Sequence, residues 1–400
     1  MKSLTELYKI GPGPSSSHTF GPMKACESFK KEVPDADSIS IILYGSLSLT
    51  GKGHLTDKIC IETCAPIPCE VIFSNETMEA HPNTMDLFAY KNNRLIKKKR
   101  VYSIGGGAIQ FEGEKIQKSE DVYSDSSFEE IMNTCDRLHI GLEDYVDRME
   151  DIQEEMNQIL DQMLKTVEKG IHEEGTLPGK LNLKRVASKL YARSQKEEDP
   201  VKKEKLILMA YAYGAAEENA SGGFTVTSPT MGASGIMPSL VRFYLIDKKM
   251  ERNRVLQGLK IAGLIGNLFK ENATISGAKG GCQAEIGVAC SMGSAFVAYM
   301  EGLSDDAIAY AAEVGIEHFL GLTCDPVGGY VMIPCIERNA VATLRAMDAA
   351  FLAKEVGSLK KNKVSLDMII NTMNYTGNKI AVELKETSLG GLATVVPLEE

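Results

Sequence analysis

The sequence predicts an α+β protein, with a small N-terminal α+β domain followed by a larger all-helical domain. Three composition zones carry that prediction. Residues 1–125 mix β-rich runs with glycine turns, residues 126–205 are charge-rich and helical in pattern, and residues 206–400 are rich in Ala, Gly, Ser and Met. At about 150 residues per domain, the 400-residue length fits two or three such units.

In the first zone, PMKACESFKKEV (22–33) reads as a helix, with Pro22 suited to its first turn. SISIILYGSLSL (38–49) and CEVIFS (69–74) have the β-branched and apolar content of strands. VYSIGGGAIQF (101–111) reads as two strands joined by a glycine turn.

From Ile131 to Met163 apolar residues recur at alternating steps of four and three, which predicts one long helix with a narrow apolar seam. That seam packs on a neighbouring domain or pairs as a coiled-coil homodimer, and periodicity alone does not choose. SQKEEDPVKKEK (194–205) reads as a solvated connector ended by Pro200. In the third zone, LILMAYAYGAAEENA, RVLQGLKIAGLIGNLFKENA, CSMGSAFVAYMEG and ERNAVATLRAMDAAFLAKEVG read as helices with small residues on their faces.

The charge balance of 44 basic and 54 acidic residues argues against a partner bound through phosphate neutralisation, hence no nucleic acid. No apolar stretch is long and uncharged enough to span a bilayer, so no membrane partner is expected. MKSLTELYKIG lacks the apolar core of a secretory signal, which makes the cytoplasm the expected compartment. In a reducing compartment the nine cysteines are core residues, reactive thiols or metal ligands.

Three late cysteines lie at glycine- or proline-rich loops: Cys282 in SGAKGGCQAE, Cys324 in GLTCDPVGG and Cys335 in VMIPCIERN. Glycine lets backbone N–H groups approach a thiolate-held cluster. Free cysteines are usually core residues, and the C-x41-C-x10-C spacing alone favours that reading. Cys290, in GVACSMGSAF, reads as core.

The loop IGPGPSSSHTFGP (10–22) is rigid and dense in hydroxyls, with one imidazole, His18. Near neutral pH such a group serves as a base or holds a carboxylate. His54 in TGKGHLTD and His81 in EAHPNTMD have similar surroundings, whereas His139 and His172 read as surface and His318 as a neighbour of Cys324. A nucleophile elbow, a Walker A loop and an HExxH motif are all absent from the sequence.

GPGPSSSHTFGPMKA, YGSLSLTGKGHLTD and HPNTM resemble the β-domain of iron–sulfur L-serine dehydratases. ISGAKGGCQAEIGVACSMGSA, GLTCDPVGGYVMIPCIERNA and TGNKIAVELKETSLGGLA resemble their α-domain, in the same order. The resemblance runs from about residue 7 to 394 and is to the single-chain form. It implies an allosteric-substrate-binding-like N-terminal layer and a small amino-acid substrate. It also implies a 4Fe-4S cluster on Cys282, Cys324 and Cys335, with one iron open to act as a Lewis acid.

On that footing the expected reaction converts L-serine to pyruvate and ammonia. His54 and His18 are the candidate bases, with His54 preferred. Ser15, Ser17, Thr19, His81 and Asn83 are candidates for orienting the carboxylate and ammonium. Two departures bear on substrate choice: Met231 and Phe319 stand where the family carries amides. They keep L-cysteine and L-threonine open as substrates, beside a non-catalytic serine- or iron-responsive protein. Some family members cap the open iron with a terminal cysteine, and this chain ends VVPLEE, leaving Glu399, Glu400 or the terminal carboxylate as substitutes.

Overall fold

A computed structural model describes residues 1–76, 78–114 and 120–398, so Glu399 and Glu400 lie outside the described residues. The first residues do not join the N-terminal layer. Leu4, Leu7 and Tyr8 are buried in the helical core, where the Tyr8 hydroxyl donates to the Leu259 carbonyl at 3.0 Å. The chain then runs through a short strand β1 (Ile10–Pro12) and a π-helical turn, Ser16–Phe20, into helix α1 (Gly21–Glu32).

Strand β2 (Ser38–Leu43) follows, with Ile39, Ile41 and Leu43 on its buried face and half-buried residues between them, the period of two expected of a strand. The predicted strand stops there. After Tyr44 the segment GSLSL turns into a short helix α2 (Gly45–Leu49), because Gly45 takes a left-handed φ of 54° that ends the extended run. Helix α3 (Thr56–Cys64) leads to β3 (Cys69–Phe73). Strand β4 (Thr84–Lys91), which pattern reading did not find, is followed by β5 (Arg94–Gly105) and β6 (Ala108–Phe111).

These strands form a sheet of order β3-β2-β4-β5-β6 in which only β2 and β3 run parallel. Helices α1 and α3 cover its apolar face, burying Phe29, Ile41, Leu43, Leu87 and Val101. Across β4 and β5, Arg100 holds the buried Asp86 with two hydrogen bonds of 2.7 and 2.8 Å.

The expected single helix over 131–163 is three: α4 (Phe128–Leu138), α5 (Leu142–Met149) and α6 (Gln153–Gly170). His139 in the left-handed region breaks the first join, and extended Glu150 breaks the second. Each piece keeps its apolar face on the helical core. Ile131, Cys135, Leu142, Tyr145, Met156 and Met163 are therefore buried within the chain and not free for a coiled coil.

The connector shrinks to residues 197–199 between α7 (Ala187–Lys196) and α8 (Pro200–Ala220), with Asp199 capping α8. Strand β7 (Phe224–Val226) pairs with β1 and fastens the N-terminal segment to the helical body. Helices α9 (Ile236–Arg242), α10 (Arg252–Asn272) and α11 (Gly277–Gly280) precede α12 (Ile286–Met300). Almost wholly buried, α12 is the axis on which α10, α13 (Asp305–Glu317) and α14 (Cys335–Val356) pack. Helix α15 (Leu366–Gly377) closes the bundle over α13. Among the described residues, no helix is long and apolar enough to cross a membrane.

Candidate active site

The three late cysteines sit at loop–helix junctions that meet in space. Cys282 opens a single 3-10 turn directly after Gly281, whose φ of 73° swings the chain round at that point. Cys324 is held by the tail of the chain: its N–H donates to Leu384 at 2.8 Å, and its carbonyl accepts from the Glu386 N–H at 2.7 Å. Cys335 is the first residue of α14. All three line one small cavity of about 20 Å³, shared with Ser15, His54, Glu285 and Glu386. A Cβ at Gly277 would stand 3.4 Å from the Cys324 sulfur and 2.6 Å from the Glu285 carboxylate, so glycine keeps that wall open.

The two histidines come from paired turns. His18 lies in the π-helical turn that enters α1, and His54 lies in the turn that enters α3. Each turn clasps the other: the Thr19 hydroxyl donates to the His54 carbonyl at 2.7 Å, and the Thr56 hydroxyl donates to the His18 carbonyl at 2.6 Å. Thr19 is thus engaged with backbone and lies outside the cavity lining.

Hydrogen bonding fixes the tautomers. His54 Nδ1 lies 2.8 Å from the Thr50 carbonyl, which only accepts, so Nδ1 carries the proton. The lone pair is then on Nε2, 3.9 Å from Glu386 Oε1. His18 is used differently. Ser46 donates its hydroxyl to the Glu386 carbonyl at 3.1 Å and so accepts from His18 Nε2 at 3.0 Å. Ser17 then donates to His18 Nδ1 at 2.9 Å, leaving both nitrogens of His18 engaged. Burial depresses both imidazoles, His54 to about 4 and His18 well below its ordinary value with further help from His54.

Three charged residues that sequence reasoning missed complete the site. Glu386 and Glu285 are buried carboxyls, each pushed above the usual range by loss of solvent, and Glu386 further by the nearby Glu285. Thr230 donates to Glu285 at 2.7 Å. Arg338 donates to the Thr323 carbonyl at 2.8 Å and also hydrogen-bonds Cys282. The Cys324 thiol bonded to Cys282 draws that sulfur below its ordinary value, and Arg338 adds to the effect. Glu285 and Arg338 each fall three residues after a site cysteine, the spacing that shares a helical face. Glu386 lies inside the block TGNKIAVELKETSLGGLA.

The remaining expected residues are spread around this centre. Ser15 lines the cavity. Asn83 is buried, and its side-chain oxygen has no hydrogen-bond partner among the described residues. His81 is half-buried outside the lining, where its Nδ1 accepts from the Asn83 N–H at 3.0 Å. His318 is exposed and bonds the Val314 carbonyl, so it is no neighbour of the cavity. Met231 turns its sulfur to the Thr225 hydroxyl at 2.9 Å, and Phe319 packs over Gly287. Neither lines the cavity, although Gly232, next to Met231, does.

Two donor sets could hold a metal. The three thiols suit a soft or iron–sulfur group. His18, His54 and Glu386 form a second set, with ligand atoms within 4.8 Å of one another. In that set both nitrogens of His18 are already committed to hydroxyls.

Comparison with known proteins identifies the family. Residues 3–66 match the serine dehydratase beta chain family, and residues 70–393 match the serine dehydratase alpha chain family. L-serine dehydratase 2 of Escherichia coli (strain K12) is 36% identical over 451 aligned positions, covering 98% of each chain. L-serine dehydratases of Helicobacter pylori (strain ATCC 700392 / 26695) and Streptomyces coelicolor are each 36% identical over 449 positions, again covering 98% of both chains. With both regions fused on one polypeptide, the chain belongs to the serine dehydratase family.

Proposed function

We propose that the protein is an L-serine ammonia-lyase, converting L-serine to pyruvate and ammonia with a 4Fe-4S cluster on Cys282, Cys324 and Cys335. The observation that carries this reading is one cavity shared by three thiols and the unprotonated Nε2 of His54. The donor set fits the group. Glycine at 277 lets Glu285 and Cys324 come close to the backbone there, and Arg338 brings positive charge to Cys282. The hydroxyl-engaged His18 makes the imidazole–carboxylate set the poorer ligand. Bound there, the cluster would supply Lewis acidity toward the substrate's hydroxyl, which is otherwise a poor leaving group.

The chain's own groups supply the rest. His54 takes the α-proton at Nε2, and its Nδ1–H bond to Thr50 keeps the ring in the tautomer that can do so. Glu386, whose carboxyl is pushed above the usual range by burial and by Glu285, faces that nitrogen. His18 is a positioning residue that ties Ser17 to Ser46. Ser15, which lines the cavity, would orient the carboxylate, whereas Ser17 and Asn83 lie outside that lining. Loss of the α-proton and the hydroxyl leaves 2-aminoacrylate and water; tautomerisation and hydrolysis then give pyruvate and ammonia. The nine free cysteines suit the reducing cytoplasm proposed as its compartment.

The test is anaerobic purification with visible spectroscopy and iron analysis, followed by assays with L-serine, L-cysteine and L-threonine. A brown protein with about four irons that forms pyruvate from L-serine supports the reading. A protein that stays colourless after reconstitution with iron and sulfide refutes the cluster. A brown protein that releases sulfide from L-cysteine but leaves L-serine untouched moves the substrate.

A further inference from the structure

A second group of cysteines lies in the N-terminal layer, outside the cavity. Cys26 on α1, Cys60 and Cys64 on α3, and Cys69 at the start of β3 meet where these elements pack together. The thiol of Cys26 contacts those of Cys60 and Cys64, and Cys64 in turn contacts Cys69. Cys26, Cys60 and Cys64 are buried, whereas Cys69 is partly exposed.

The contacts run in a row, Cys60–Cys26–Cys64–Cys69, and do not close into the compact tetrahedron a zinc ion requires. Among the described residues, the group of metal donors gathered within 4.8 Å is His18, His54 and Glu386. Lys30 caps the end of α3, donating to the carbonyls of Thr63 (3.1 Å) and Ala65, and so brings a cation to Cys64. Hydrogen bonds from Cys26 and Cys69, aided by Lys30, hold Cys64 below the ordinary thiol value. The bond to Cys64 pushes Cys69 above it, so the two sulfurs share one proton. An open groove lined by Lys30, Thr63, Pro66 and Ile67 runs alongside.

We propose that Cys64 and Cys69 are a dithiol pair that closes to a disulfide by exchange with a small disulfide and reopens in excess thiol. Cys69, the accessible member, passes its proton to Cys64 and attacks one sulfur of the incoming disulfide. That S–S bond breaks, and one small thiolate leaves. Cys64 then gives up that proton to the first small thiolate and attacks the Cys69 sulfur, expelling the second thiolate, which takes a proton from solvent. The pair gives up two electrons and its one proton, and with the solvent proton the small disulfide becomes two thiols. Only residues 65–68 separate the partners, so closure constrains little of the unfolded chain and the bond stays reversible.

The experiment uses the purified holoprotein under argon in glutathione buffers of graded disulfide content. Acid quenching, alkylation and tryptic mapping follow. Residues 59–91 form one tryptic peptide containing Cys60, Cys64 and Cys69. The expected product is that peptide two hydrogens lighter, with Cys60 alone alkylated, in a proportion set by the buffer. Cys64→Ser should stop at a glutathione adduct on Cys69, and Cys69→Ser should leave Cys64 alkylated. Lys30→Met should reach the same end point several-fold more slowly. Full alkylation of all three thiols at every buffer ratio overturns the proposal. So does a stoichiometric zinc ion that Cys64→Ser removes. Wild-type mapping decides the matter if a variant does not fold.

Discussion

The imidazole rings of His18 and His54 stack with centroids 4.4 Å apart and planes 24° apart. Such a stack is stable only if the rings are not both charged, and burial keeps both neutral. On unfolding, His54 regains an ordinary value of 6.5 from about 4. Between these values the unfolded chain binds the extra proton, so stability falls as pH drops through that window. The His54 share is about 3 kcal/mol when the window has been crossed. Urea midpoints at pH 7 and pH 4.5 should therefore fall further apart for wild type than for His54→Asn. Equal pH dependence would show that His54 is not held neutral.

If Nε2 of His54 accepts the α-proton, His54→Ala removes the base and leaves the thiols untouched. Iron content and visible spectrum should match wild type, with kcat lowered by ~10²–10⁴-fold. Retained turnover rejects His54 as the base.

Cysteine substitutions separate ligands from core. Cys282→Ser, Cys324→Ser and Cys335→Ser should each lower bound iron sharply. Cys290 is buried on α12 and its thiol reaches the Ala342 carbonyl at 3.4 Å. Cys290→Ala should cost about 1 kcal/mol of stability and keep full iron. Iron loss from Cys290→Ala, or its retention in the other three, contradicts the assignment.

Gly53 is where the His54 turn meets the segment between Cys324 and Cys335. A Cβ there would lie 2.5 Å from the carbonyl of Gly329. Gly53→Ala should cost about 1–3 kcal/mol and lower kcat while the iron stays bound, because it parts the base from the thiols. Unchanged kinetics would mean that the two loops need not touch for turnover.

Much of the site was legible because it is written in contiguous blocks. The cysteine loops and the hydroxyl-rich turn around His18 are each a short run of unusual residues, and folding brings them together unchanged. Glu386 escaped notice because nothing local marks it; its role comes from a backbone bridge to Cys324, 62 residues away. The supposed long helix failed for a related reason. Steps of three and four survive a break whenever each piece turns the same face inward, so periodicity did not register the turns at His139 and Glu150. Strand β4 went unseen because the alternation of Thr84-Met85-Asp86-Leu87 is short and gives way to the unbroken run Phe88-Ala89-Tyr90.

The fastening of the N-terminus has a mechanical corollary. Residues 10–12 are stitched to residues 224–226, and the chain comes back from the sheet layer to bond Met1 through Val122 and Tyr123 at 2.9 and 3.0 Å. The sheet layer is consequently tied to the helical body at both ends of its chain, where the backbone enters it and where it leaves.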